Sequence, residues 1–176
     1  MASSQPDAIA LLKADHRKVE DLFAQFEKAR VATRKAALVK EICTELTVHT
    51  LIEEEIFYPA CRGKVEDSDL DEAYVEHDGA KMLIAELVDG APSDPFYDAK
   101  VKVLSEEIEH HVKEEEMRVE GIFAQAREAG LDMDALAERM RARKAELLAQ
   151  FAASGLPVQQ VHALKGARVQ HVGLTA

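Results

Sequence analysis

Cysteine is scarce: the 176-residue chain has two. Cys43 and Cys61 make neither a metal spacing nor a disulfide framework, so a reducing cytoplasm is the expected compartment. Cys61, near the end of a helical stretch, reads as an exposed thiol with nothing to make it reactive. No apolar run reaches the length of a membrane span, and no signal-peptide pattern precedes Asp7. Basic residues are in deficit. The formal net charge is −11, which argues against nucleic acid or an anionic membrane as partner. Strand signals are nearly absent too, so the chain reads as all-α. What is present, 47% hydrophobic and 31% charged residues, suits one domain of amphipathic helices around a sizeable core.

Apolar periodicity predicts five helices. The first runs to about residue 28, with Pro6 in its opening turn. The second covers about 33–58 and is stopped by Pro59 and Gly63. The third follows the acidic linker 66–69 and ends at Asp89-Gly90. The fourth, capped by Ser93 or Asp94, is long and reaches Gly130, a natural stop. Short connections make these four an up-down-up-down antiparallel four-helix bundle over 1–130. A fifth helix over 131–154 lies on the bundle or serves a dimer. Residues 155–176 read as a flexible tail, with His162 and His171 as bystanders.

The apolar stripes carry six misplaced residues. His16 stands in the stripe Leu12, Val19, Phe23, and His49 with Glu53 in the stripe Ile42, Leu46, Ile56. His77 stands between Tyr74 and Ile84, and His111 with Glu115 between Ile108 and Ile122. An unpartnered buried polar group costs roughly 2–7 kcal/mol, and a hydrogen-bonded His–Glu pair could offset that once. Here it happens twice. His16 precedes His49 by 33 residues and His77 precedes His111 by 34, each second histidine opening a His-x-x-x-Glu. The chain is a tandem of helix pairs, and all four histidines fall at mid-helix, where they can meet at one level. Four buried histidines and two buried carboxylates point to a metal site.

Imidazole suits iron, zinc and copper, while a carboxylate can bridge two metals. Four His and two Glu under a pseudo-twofold satisfy two ions, each with two nitrogens and a share of Glu53 and Glu115. The pairing His16 with His49 and His77 with His111 is favoured, the crossed pairing staying open. Zinc would be saturated by four ligands, whereas iron keeps positions for a bridging oxygen, oxo or hydroxo, and for an external ligand.

His16, His49-x-x-x-Glu53, His77 and His111-x-x-x-Glu115 resemble the hemerythrin-like HHE cation-binding domain. The likeness extends to Lys13-Ala14-Asp15-His16, Glu54-Glu55-Ile56-Phe57-Tyr58-Pro59 and His110-His111-Val112-Lys113-Glu114-Glu115-Glu116. It implies a non-haem di-iron bundle handling O2, peroxide or a related small ligand such as NO. The O2-carrying hemerythrins use a fifth His, here Lys81, and a final Asp, here Glu115. Slow peroxidase- or catalase-like chemistry is therefore weighed against a sensor or O2 binder without turnover. Ferritin-like storage falls away, because its sites are carboxylate-rich and spelled Glu-x-x-His.

Off the stripes the expectations are plainer. Glu54, Glu114 and Glu116 read as solvated face, Lys81 as reaching outward, and His110 as second-rank or solvated. Glu20 lies off the seam. Tyr74, one turn before His77, is the candidate catalytic residue, a hydroxyl beside the metals. The protein is expected to be a monomer or homodimer.

Overall fold

The structure, a computed structural model, describes residues 5–165. Its elements are α1 (Ala8–Lys28), α2 (Ala32–Ile52), a π-helical turn (Glu53–Phe57), α3 (Tyr58–Cys61), α4 (Asp67–Val88), α5 (Tyr97–Glu115), α6 (Ile122–Glu128) and α7 (Met133–Ser154), with no strand among the described residues. Helices α1, α2, α4 and α5 form the four-helix bundle, α1 meeting α2 and α5, and α4 meeting α2 and α5.

Two apolar clusters fill the bundle. One gathers Leu12, Ile52, Ala73 and Ile122, the other Val19, Leu46, Ala80 and Leu104. Along α1 and α4 the first cluster comes before the second; along α2, and from α5 into α6, the order is reversed. That alternation is the up-down-up-down topology. All four stripe histidines fall between the two clusters, so hydrophobic burial sets the level of the site. Helix α7 lies on α1, α2 and the π turn, burying Leu136, Met140 and Leu147 in the first cluster. Arg143 grips Glu55 from it at 2.7 and 3.0 Å.

Helix ends depart from expectation in ways that shape the site. Asp7 caps α1 by accepting from the Ala10 amide at 2.8 Å, which leaves Pro6 outside the helix. Pro59 does not stop the second helix: it falls in the first turn of α3, where a missing N–H costs little. The stop is at Gly63, at φ +72°. Cys61 is buried rather than exposed, and burial pushes its thiol up to about 12. Asp94 does not cap α5; it closes a turn by accepting from the Ala91 amide at 2.6 Å, and α5 starts at Tyr97 after Phe96 at φ 66°.

Helix α5 is also shorter than predicted. It ends at Glu115, and the loop 116–121 folds back over that end before α6 begins. Gly121 makes the return possible, since a Cβ there would lie 2.5 Å from the Glu115 carbonyl and 2.7 Å from that of Glu114. Residues 155–165 lie against the bundle: Asp78 accepts from the amides of His162, Ala163 and Leu164 at 2.6 to 3.0 Å. His171 lies outside the described residues.

Candidate metal centre

The six stripe residues converge. His16, His49, Glu53, His77, His111 and Glu115 are all at most 6% exposed. His16 Nε2 lies 3.1 Å from His49 Nε2, and His77 Nε2 lies 3.2 Å from His111 Nε2. Glu53 Oε2 reaches His49 at 3.1 Å and His77 at 3.4 Å, while Glu115 Oε2 reaches His16 at 3.4 Å and His111 at 3.6 Å. Each carboxylate therefore spans one histidine from each repeat. The two close His–His pairs follow the sequence repeats, as the favoured pairing has them.

An outer ring of carboxylates orients the imidazoles. His16 Nδ1 donates to Glu116 at 2.8 Å, His77 Nδ1 to Glu54 at 3.1 Å, and His111 Nδ1 to Glu76 at 2.7 Å. Asp15 faces His49 Nδ1 at 3.7 Å, beyond hydrogen-bond reach, and pairs with Lys144. An ionised carboxylate only accepts, so these contacts put the ring proton on Nδ1 and turn the Nε2 lone pair inward. Two inward lone pairs about 3 Å apart repel unless a proton or a cation lies between them.

The donor set fits a metal. Both oxygens of Glu53 and Oε2 of Glu115 are buried with no hydrogen-bond partner, a costly state for a carboxylate. Two nitrogens bound at roughly 2.1 Å to one ion and meeting near a right angle would lie about 3 Å apart. Without a metal, protons must compensate. Burial pulls the His49 imidazolium down, but Glu53 and Asp15 outweigh it and raise it to about 10. His77 is likewise pulled down by burial and carried up to about 9 by Glu53 and Glu54. Burial pushes Glu53 up, and the two imidazoliums hold it well below the usual carboxylate range.

The tyrosine at the cage is Tyr58, not Tyr74. Tyr58 Oη donates to Glu115 Oε1 at 2.8 Å and lies 3.4 Å from His77 Nε2. Tyr74 meets Tyr58 edge to face, ring centres 5.4 Å apart. The reason is the π turn. An α-helical period puts Phe57 one turn below Glu53, but here the Tyr58 amide bonds the Glu53 carbonyl across five residues. The wider turn hands the cage-facing position to Tyr58, and Phe57 packs edge-on against Phe123.

Three further expectations are corrected. Glu54 and Glu116 are not solvated face; a neighbouring helix brings a histidine to each. Lys81 does not reach outward but is 5% exposed, bonding Glu54 at 2.7 Å and Asp78 at 3.2 Å. His162 is no bystander, its Nε2 lying 3.1 Å from Glu54 Oε2. Glu20 pairs with Arg17 at the surface, and His110 is 61% exposed beside Glu114 and Glu76. One signal for the outer ring was in the sequence. An acidic residue precedes His16 and His77, and another follows Glu53 and Glu115.

Comparison with known proteins is consistent with this cage. The family described as Hemerythrin HHE cation binding domain matches residues 7–123. A curated relative called a DNA nickase, from Nostoc sp., is 29% identical over 106 residues, which is 60% of this chain and 30% of the relative. The chain thus spans under a third of that protein's length. A solved Hemerythrin HHE cation binding domain-containing protein from Mycobacterium kansasii, the Rv2633c homologue, superposes with a TM-score of 0.70 at 23% identity. That match covers 86% of this chain and 96% of the other, and it shows a shared fold. No helix among the described residues is long and apolar enough to cross a membrane.

Proposed function

The chain belongs to the hemerythrin HHE cation-binding family, and from that premise we propose that it is a non-haem di-iron protein that reacts with O2 or peroxide. The supporting observation is the cage itself: four imidazoles, three of them oriented by outer carboxylates, around two buried carboxylates of which both Glu53 oxygens and Glu115 Oε2 lack a hydrogen-bond partner. His16 and His49 would hold one iron, His77 and His111 the other, with Glu53 and Glu115 shared between them. Bound iron supplies Lewis acidity and electrons for activating a small oxidant.

The chain's own groups do the rest. The two apolar clusters exclude bulk water above and below the cage. Tyr58 stays protonated, because burial and the nearby Glu115 push its hydroxyl well above the ordinary range. It can offer a proton at Oη beside the reacting atoms, the role the sequence pattern suggests for Tyr74. Glu115 is held by that hydroxyl, whereas Glu53 has only the His49 and His77 imidazoles beside it. Peroxide would be disproportionated to water and O2, which needs no further reductant. At net charge −11 nucleic acid is not proposed as a partner, and the nickase activity named for the relative is not carried over.

Elemental analysis of protein loaded with ferrous iron tests the cage, with about two irons per chain expected. One iron per chain, or zinc that iron cannot replace, would count against it. Stopped-flow mixing with hydrogen peroxide then tests turnover. Sensing without turnover is the second reading, favoured by the contact of His162 with Glu54, which connects residues 155–165 to His77. If peroxide is ignored while tryptic cleavage near Lys165 changes with iron loading, that reading holds.

A further inference from the structure

Beside α5 lies a cavity of about 850 Å³, bounded by the 63–66 turn, α4 and the 116–121 loop. His111 and Glu115 lie on its wall, and they are 4% and 1% exposed. The charged part of the lining is mostly acidic, with Glu66, Asp69, Glu72, Glu120 and Glu128 against a single cation, Lys64, and Val65, Ala73, Met117 and Ile122 supply an apolar part. Glu76 and Glu114 also line the cavity, and together with His110 they bring one ligand atom each within 4.8 Å of one another. His110 Nε2 lies 3.1 Å from Glu114 and 3.6 Å from Glu76.

We propose that Glu76, His110 and Glu114 form an outer divalent-cation site, and that metal passes from it through the acidic cavity to the His77–His111 half of the cage. The inference rests on reading the inner cage as a metal site. Three observations carry it. First, Glu76 belongs to both places: one oxygen faces His110 while the other accepts from His111 Nδ1 at 2.7 Å. Second, Glu115 lies on the cavity wall and its Oε2 is buried without a hydrogen-bond partner, so a ligand in need of a cation adjoins the cavity. Third, the opposite half has nothing of the kind. The positions matching His110 and Glu114 in the first repeat are Val48 and Ile52, both 0% exposed. Neither His16 nor His49 lies on the wall of the large cavity, and a void between all four histidines holds only about 10 Å³.

The chemistry suits a transient station. One imidazole with two carboxylates is a borderline donor set for first-row divalent ions, weaker than the inner cage because it is open to water. The acidic walls raise the local concentration of cations, most at low ionic strength.

The test uses Co2+ added anaerobically to the metal-free full chain, with the double variant His110→Ala, Glu114→Gln. Both residues are partly exposed and touch no atom of the inner cage. Equilibrium dialysis should count three ions per wild-type chain and two per variant chain. Stopped-flow absorbance should show the variant filling the inner cage at least fivefold more slowly, the gap narrowing in high salt. Two ions in both proteins, filling at one rate, would overturn the outer site while leaving the cage reading intact. A third ion lost in the variant with no change in rate would overturn the route. One ion in the wild type and none in the variant would sink the cage reading instead.

Discussion

The two repeats spell the same ligands and surround them differently. In the first, His16 stacks on Phe123 and neither His16 nor His49 reaches the large cavity, while the small void at the cage touches all four histidines. In the second, His111 borders the large acidic cavity. The outer carboxylates differ too. Glu54, behind His77, is buried with Lys81; Glu116, behind His16, is held by Arg17 and Lys13 near the surface. Duplication explains the pair of sites; the helix ends explain their difference. After Glu53 the chain continues through the π turn and brings Tyr58 in, whereas after Glu115 it turns away at 116–121 and leaves the cavity. One half is built to hold and the other to admit.

The largest expected effect breaks the symmetry of the ligands. Each carboxylate touches both halves, so Glu53→Ala or Glu115→Ala should drop iron from about two per chain to near zero. His16→Ala should remove about one, because it touches only one close pair. Iron counted after gel filtration decides this; equal loss from all three variants would mean that the halves are not separable. Tyr58→Phe comes next. It should retain both irons and lower peroxide turnover by roughly 10²-fold, the low end of a general acid's contribution. Tyr74→Phe should change turnover less than twofold, and the reverse ranking would restore the sequence expectation.

Stability should separate the outer carboxylates. Removing the Lys81 cation leaves Glu54 buried beside Asp78, so Lys81→Met should cost about 3 kcal/mol. Arg17→Ala, at a half-exposed partner of Glu116, should cost under about 1 kcal/mol. Urea melts of the two variants give both numbers, and equal costs would remove the distinction between a buried and a surface outer carboxylate.

That distinction marks where the sequence stopped being readable. His16, His49, Glu53, His77, His111 and Glu115 were legible because an apolar stripe makes a polar residue conspicuous. Glu54 and Glu116 lie one residue further round the helix, where an isolated amphipathic helix meets water. In the fold, α4 brings His77 to the first and α1 brings His16 to the second. Lys81 was misread for the same reason, since a pattern along one helix does not say which face a neighbour covers. Tyr58 was missed because the 3.6-residue period fails across a π turn, and nothing in Glu54-Glu55-Ile56-Phe57 announces one. Pro59 reads as a breaker by type, whereas its effect follows from position, since it opens a helix; Gly121 carries no such signal in the sequence and yet allows a close approach.

Metal removal should expose a charge that both halves share. His49 and His77, one from each repeat, are raised to about 10 and about 9 in the metal-free cage, above an unfolded value near 6.5. A raised folded pKa adds stability that is fully present below the unfolded value. It is lost as pH rises through the folded values. The metal-free protein should therefore melt progressively lower between about pH 7 and 10, while iron-loaded protein holds its melting point over the same range. Flat melting curves for the metal-free form would mean that its carboxylates are not held by imidazolium.

The smallest effect concerns the segment that covers only one half. His162 reaches Glu54 with its ring 57% exposed, so the contact is screened by water and worth under about 1 kcal/mol. His162→Ala should leave the urea midpoint nearly unchanged and iron content at two per chain. Asp78 still accepts from the amides of residues 162–164, so the segment should stay in place. What should change is Glu54, which keeps Lys81 and His77 but loses its third partner, loosening the orientation of His77 alone. The near-ultraviolet spectrum of the iron-loaded variant should shift slightly, and Arg17→Ala, acting behind His16, should shift it independently. If the two shifts add in the double variant, the halves are electronically separate; if His162→Ala shifts nothing, the segment lies beside the site without acting on it.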